Sequence, residues 1–300
     1  MADFRPRLFC FGLGYSACML ARVLRAEGWH IAGTTQGSAR VEALRREGFD
    51  VFEFDRGKPI ADAAAALAGS THLLSTVPPD RFGDAVLDHH AADIGRIEGL
   101  VWAGYLSTTG VYGDTGGEKV VESAPLRAST ARSRRRIAAE NRWSTMWRES
   151  GVPVHVFRLA GIYGPGRSAF DQIAAGRAKR VHRPGYLFSR VHVADIVNVL
   201  TASMRHPNPG AVYNVCDDEP AAQADVVAYA CELLGIDPPP LVSFDEARDR
   251  LSPMARSFWS DNRRVDNSRI KRELNVRLRY PDYRRGLEAI LAAERRAARR

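Results

Sequence analysis

Phe11-Gly12-Leu13-Gly14-Tyr15-Ser16-Ala17 is the stretch of this chain whose reading decides the fold. An apolar run ends in it and residues 15–27, with helical spacing, leave it, so a G-x-G-x-x-A turn stands between a strand and a helix. Each small residue answers a steric demand. Gly12 permits the tight turn, Gly14 lets backbone amides approach a pyrophosphate, and Ala17 lets the helix pack closely on the strand. The helix N-terminus at Tyr15 and Ser16 then faces the anion. The turn predicts the first βαβ unit of a dinucleotide-binding domain.

Working outward, the first 160 residues alternate short apolar runs with helical stretches, the pattern of a parallel sheet wound with helices. Strands are expected near 8–12, 30–34, 51–54, 72–76, 100–107 and 154–159, a six-stranded sheet. Beyond Gly161 come Gly-Pro turns, a strand and helix around 191–204, a strand at 212–215, and a mostly helical remainder. The predicted class is α/β: a Rossmann doubly wound parallel sheet with helices on both faces and a small C-terminal substrate lobe. Residues 1–160, with 186–215 returning to them, are assigned to the NAD(P)-binding domain. Residues 161–185 and 216–300 form the smaller lobe, expected to close over the carboxyl ends of the strands.

At the end of the second strand, a protein that prefers NAD places Asp or Glu about 20 residues beyond the glycines. Here residues 33–40 read GTTQGSAR, without a carboxylate. The hydroxyls of Thr34 and Thr35 with the guanidinium of Arg40 suit a 2′-phosphate instead, so NADP is the expected cofactor ahead of NAD. Arg40 otherwise begins a solvated helix. Asp55, after the third strand, contacts adenine or simply ends the strand.

With 300 residues, 45% hydrophobic and 26% charged, the chain can bury a sizeable core. No stretch reaches the roughly 18 to 20 apolar residues of a membrane helix. Arg5 and Arg7 before the uncharged run 8–21 imitate a secretory signal, but removing that run would delete the first strand and the glycine turn. Cys10, Cys18, Cys216 and Cys231 form no CxxC pair, which points to a reducing cytoplasm. The net charge of +8 includes eight arginines against three acids in residues 277–300. A solvated basic helix is the reading taken there over a nucleic-acid contact. His89, His90 and Asp93 are read as a solvated helix rather than a metal site, because adjacent histidines diverge on a helix.

Further motifs follow in order: YLSTTGVYG at 105–113, RLAGIYGPG at 158–166, RVHVADIV at 190–197 and VYNVCDDEP at 212–220. With the glycine turn, they resemble the extended and atypical short-chain dehydrogenase/reductase superfamily, in particular its NAD-dependent epimerase/dehydratase branch. The resemblance implies that Thr108, at a strand end, binds a substrate hydroxyl or carbonyl. It also implies a Tyr-x-x-x-Lys pair on the next helix, but aligning SRRRIAAEN puts Arg132 and Arg136 at those positions. Arg132 stays protonated at any working pH and cannot exchange a proton as a tyrosine does. Its expected role is substrate binding, and that of Arg136 is to hold ribose hydroxyls or phosphate.

Spaced i and i+4, the two arginines share a face with Trp143 and Trp147, expected to point at the sheet. Proton donors must then come from Tyr105, Tyr112, Tyr163 or Asp114, with Tyr112 and Tyr163 preferred. Thr109-Gly110 replaces the Asp-Glu of sugar 4,6-dehydratases, which argues against that reaction and leaves Thr109 as a substrate contact. Phe188 stands where the family's pyrophosphate-gripping arginine belongs, and Arg190, two residues on, keeps the same strand face. His192 is read as a packed residue.

The function that follows is an NAD(P)-dependent oxidoreductase or epimerase-like enzyme with an atypical active site, acting on a polyol or nucleotide-sugar-like small molecule. The alternative is a non-catalytic NAD(P)-binding sensor or scaffold. A homodimer is compatible with either; no membrane, metal or nucleic-acid partner is assigned.

Overall fold

The computed structural model describes residues 5–299, leaving aside the side chains of residues 253 and 254. Seven strands build one sheet: β1 (Arg7–Phe11), β2 (His30–Thr35), β3 (Asp50–Glu53), β4 (His72–Ser75), β5 (Trp102–Thr108), β6 (Val154–Leu159) and β7 (Val212–Val215). Their order is β7-β6-β5-β4-β1-β2-β3, with β1 between β4 and β2. The sheet is parallel, with Leu8 opposite Ile31 on β2 and His72 on β4. At its far side the bonds Val156 N–H to Ala211 O and Ala160 N–H to Val215 O advance together, as parallel neighbours require.

The expected six strands become seven because 212–215, read as a strand in the segment that returns to this domain but not counted in its sheet, adds itself beside β6. Pairing partners of distant segments are not visible in local periodicity. Around the sheet run α1 (Tyr15–Ala26), α2 (Ser38–Arg46), α3 (Ala63–Leu67), α4 (Ala85–Gly95) and α5 (Ala131–Ser150). In α1 the residues Ala17, Leu20, Ala21 and Leu24 are buried, a spacing that sets one apolar stripe against the sheet. The inner strands β1, β4 and β5 are buried along nearly their whole length, as in a sheet covered on both faces.

The chain divides into two compact units. The first comprises residues 1–108, 131–158 and 199–213; the second comprises 109–130, 159–198 and 214–300. In the first, Phe9, Phe11, Leu73, Tyr105 and Trp143 belong to one apolar core. His90 joins it, 3% exposed and stacked on Phe11 at 5.8 Å between ring centroids. Its Nε2 accepts from the Ile60 amide at 3.2 Å, and its Nδ1 lies 3.0 Å from Asp93. The expectation of a solvated helix at His89-His90 is therefore corrected for His90, whose place inward only the packing of α4 reveals.

The second unit holds three short parallel pairs, Gly161–Tyr163 with Arg190–His192, Arg180–His182 with Leu241–Ser243, and Lys119–Val120 with Arg264–Val265. Its last helix, Tyr283–Ala297, lays Leu287, Ile290 and Leu291 into a core with Tyr163 and Phe170. The basic tail is thus amphipathic rather than solvated all round. Among the described residues no helix is long and apolar enough to cross a membrane.

Candidate functional site

A cavity of about 680 Å³ opens in the first unit. Its wall combines the turn Gly12, Leu13 and Gly14 with the β2 end at Thr34, Thr35 and Gln36. Phe54, Asp55 and Arg56 after β3, and Thr76, Val77, Pro78 and Asp80 after β4, complete it with Ala85. The size falls within the range of about 300 to 1,000 Å³ usual for small-molecule sites.

The turn is held from both sides. Gly12 has φ +88°, a left-handed conformation that favours glycine. Its N–H donates to Thr34 Oγ1 at 2.9 Å, and its carbonyl accepts from Thr76 Oγ1 at 2.7 Å. A Cβ on Gly12 would stand 2.8 Å from that same Thr76 oxygen. Gly14 differs: a Cβ there would meet nothing within 4 Å, so the space over it is open. Gly14 is also the N-cap of α1, with no side-chain cap and no acid in the first turn. The partial positive end of α1, at Tyr15, Ser16 and Ala17, is therefore not neutralised by a carboxylate of its own. These features fit the pyrophosphate of a dinucleotide.

Thr34 and Asp55 both reach this wall, but each also serves the backbone: Asp55 Oδ1 accepts from the Gly57 amide at 2.7 Å. Arg40 does not line the cavity. It lies in the opening turns of α2 and reaches back to α1, with NH2 3.4 Å from Cys18 Sγ. Burial raises the Cys18 thiol, and Arg40 and Arg22 partly oppose that shift. The sequence reading missed Arg56 and Asp80. The signal available was the run PPDRFGD after β4, a turn whose aspartate could have been read as a cap but not as a cavity wall.

On α5, Arg136 is buried and donates from NH1 to Tyr105 Oη at 3.0 Å and to Leu106 O at 2.9 Å. One turn on, Glu140 accepts from Ser107 Oγ and pairs with Arg158, NH2 to Oε2 at 2.8 Å. Both members of that pair are buried, with side-chain exposures of 6% for Arg158 and 5% for Glu140. Thr108, the last residue of β5, follows this clamped run and is half-buried; Thr109 is buried. Arg132 is exposed, so the expected shared face holds for Arg136 and Trp143 and not for Arg132, which sits in the first turn of the helix.

In the second unit the two preferred tyrosines meet a physical obstacle as proton donors. Tyr112 is fully buried and donates to Asn214 Oδ1 at 2.6 Å. Tyr163 donates to Asp282 O at 3.3 Å, and burial raises its pKa. Their hydroxyls serve protein acceptors, which corrects the expectation that one of them is presented to a substrate. Arg190 donates from NH1 to Phe188 O and Ala221 O, both at 2.8 Å. Its own carbonyl accepts from the Asp217 amide at 2.7 Å. Asp217 is 3% exposed and burial pushes its carboxyl up to about 8, with Arg190 opposing and Asp218 and Asp282 adding to the shift. His192 is buried, its Nδ1 accepting from the Ala194 amide at 3.2 Å, and burial lowers it to about 4.

Comparison with known proteins shows the family. Residues 14–216 match the model of the NAD dependent epimerase/dehydratase family. The chain belongs to that family. It is 30% identical over 291 residues to Protein YeeZ of Escherichia coli strain K12, covering 90% of this chain and 95% of that protein. A conserved protein of unknown function from Silicibacter pomeroyi DSS is 49% identical, with TM-score 0.86 over 96% of this chain and 99% of that one. A UDP-glucuronic acid 4-epimerase from Bacillus cereus, solved with UDP-glucuronic acid and NAD, shares the fold at 14% identity, TM-score 0.75, covering 97% and 99% of the two chains.

Two outcomes are expected. Gly14→Val should keep the fold, since the added side chain enters open space, yet lose NADH binding in calorimetry if a pyrophosphate approaches through that space, as the glycine turn leads one to expect. A folded variant with wild-type affinity would contradict the site. The second concerns Asp217, whose folded pKa of about 8 lies above the roughly 3.9 of an unfolded aspartate. Between those values the folded state holds a proton that the unfolded state has released. Wild-type stability should therefore decline as pH rises from about 4 through 8, and Asp217→Asn should flatten that slope in urea denaturation.

Proposed function

We propose that the chain is an NAD(P)-dependent oxidoreductase or epimerase-like enzyme of the short-chain dehydrogenase/reductase type, acting on a polyol or nucleotide-sugar-like small molecule. The observation that carries this reading is the cavity at the open, uncapped start of α1 in a chain of the epimerase/dehydratase family. Gly12, Gly14, Tyr15, Ser16 and Ala17 would hold the pyrophosphate, Thr34 and Thr35 the adjoining ribose, and Asp55 the base. Arg136 would take the ribose nearest the reacting ring. Bound in this way, the nicotinamide supplies a hydride donor or acceptor.

For the substrate, Thr108 is the proposed catalytic contact, binding the reacting hydroxyl or carbonyl, with Thr109, Arg132 and Arg190 proposed as binding residues. The nucleotide-sugar class is supported by the ligand of the Bacillus cereus epimerase and is proposed for the second unit, residues 109–130, 159–198 and 214–300. A non-catalytic dinucleotide sensor is the second reading. It is favoured by one observation: arginines occupy both the tyrosine and lysine positions, and arginine does not trade protons near neutral pH.

Turnover separates the two. Purified protein is incubated with oxidised and reduced cofactors and a panel of sugar nucleotides, following absorbance and product mass. Product from any member supports the enzyme, and Thr108→Val should then lower kcat more than it weakens cofactor binding. Tight cofactor binding without product across the panel supports the sensor.

NADPH is proposed as the preferred cofactor, because no carboxylate at 34–40 repels a 2′-phosphate. If Arg40 swings from Cys18 to that phosphate, Arg40→Ala should weaken NADPH by about ten- to hundredfold, roughly 1.5 to 3 kcal/mol, and leave NADH nearly unchanged. Fluorescence titrations at one ionic strength check this. Tighter wild-type binding of NADH, or equal losses for both cofactors, would overturn the assignment.

A further inference from the structure

Arg56 is the one cationic side chain among the described residues that line the cavity. Each of its three nitrogens is engaged by the protein, through three of its five N–H groups: Nε on Asp80 Oδ2, NH1 on Asp88 Oδ2 at 2.7 Å, and NH2 on Gly83 O at 3.1 Å. The acceptors are themselves anchored. Asp80 Oδ1 accepts from the amides of Phe82 at 2.7 Å and Gly83 at 3.2 Å, and Asp88 also pairs with Arg142. Two carboxylates offset the charge, so Arg56 is ill suited to serve as a phosphate-binding cation. With all three nitrogens held by protein acceptors and the charge offset, the main surface the side chain offers a ligand is the flat face of the guanidinium. It is about a quarter exposed, and the Phe82 ring lies 5.6 Å from its Cζ, within cation–π reach.

The order of segments along the wall says which part of a ligand meets that face. A pyrophosphate at Gly12 and Gly14 and a ribose beside Thr34, Thr35 and Gln36 leave the base to the segments after β3 and β4, where Arg56 and Asp80 stand. We infer that Arg56 is the stacking platform for the base end of the dinucleotide, held flat by Asp80, Asp88 and the Gly83 carbonyl. This rests on the dinucleotide reading proposed above. Asp80 and Asp88 are positioning residues: they orient the guanidinium and do not themselves recognise the base. The arrangement makes planarity, not charge, the property that matters at residue 56.

The test uses ADP and NADH, which carry the same base, titrated by calorimetry into the full-length wild type, Arg56→Leu and Arg56→Lys, with a thermal melt of each. Both variants should weaken both ligands by the same factor, about tenfold, because lysine keeps the charge but not the plane. Wild-type affinity in Arg56→Lys would show that charge suffices and overturn the inference, as would unchanged affinity in Arg56→Leu. Should Arg56→Leu melt early, Arg56→Lys decides alone. A wild type that binds neither ligand would instead overturn the dinucleotide reading, and the platform with it; binding by the wild type with undiminished binding by the variants overturns only the platform.

Discussion

The backbone of Gly12 is gripped from both neighbouring strands, and the direction of α1 depends on that grip. β1 lies between β2 and β4. The threonine near the end of β2 accepts the Gly12 amide, and the threonine just past β4 donates to its carbonyl. A residue with a Cβ would collide with the second hydroxyl and resist φ +88°. Gly33 adds the matching constraint underneath, since a Cβ there would come within 2.4 Å of the Cys10 carbonyl oxygen. The pinned turn delivers the start of α1 to the cavity wall without a side chain in the way, and an uncapped helix start carries the partial positive charge that an anion needs.

A second set of contacts secures β5. Arg136 and Glu140, spaced i and i+4 on α5, meet Tyr105, Leu106 and Ser107 in succession, immediately before Thr108. Arg158 on β6 neutralises Glu140, as a buried carboxylate requires. Arg136 is thus a structural tie to the strand in this chain. Its hydrogen bonds to Tyr105 and Leu106 give a physical reason for a longer, forked side chain there, independent of any proton chemistry.

Much of this was legible in the sequence because the signals are local. The glycine turn, the strands of the first half-sheet and the missing carboxylate after β2 are properties of short windows. The parts that were not legible depend on what meets what. His90 looked like half of a solvated pair until α4 turned it onto Phe11. Tyr112 and Tyr163 looked available until Asn214 and the Asp282 carbonyl, more than 100 residues away in sequence, took their hydroxyls. Arg56 carried no signal of its own in the sequence; the two aspartates after β4 that hold it are 24 and 32 residues away.

By itself, then, the sequence determined the parallel α/β class, the place of the glycine turn between β1 and α1, and the absence of a carboxylate at residues 33–40, since spacing and residue type are enough for each. Tertiary structure alone decided the place of the seventh strand in the sheet, the inward side of α4, the exposure of Arg132 against the burial of Arg136, and the burial of Asp217. Those outcomes turn on burial and on hydrogen bonds between segments far apart in the chain. Local periodicity carries no record of such partners, because the same short pattern satisfies many of them.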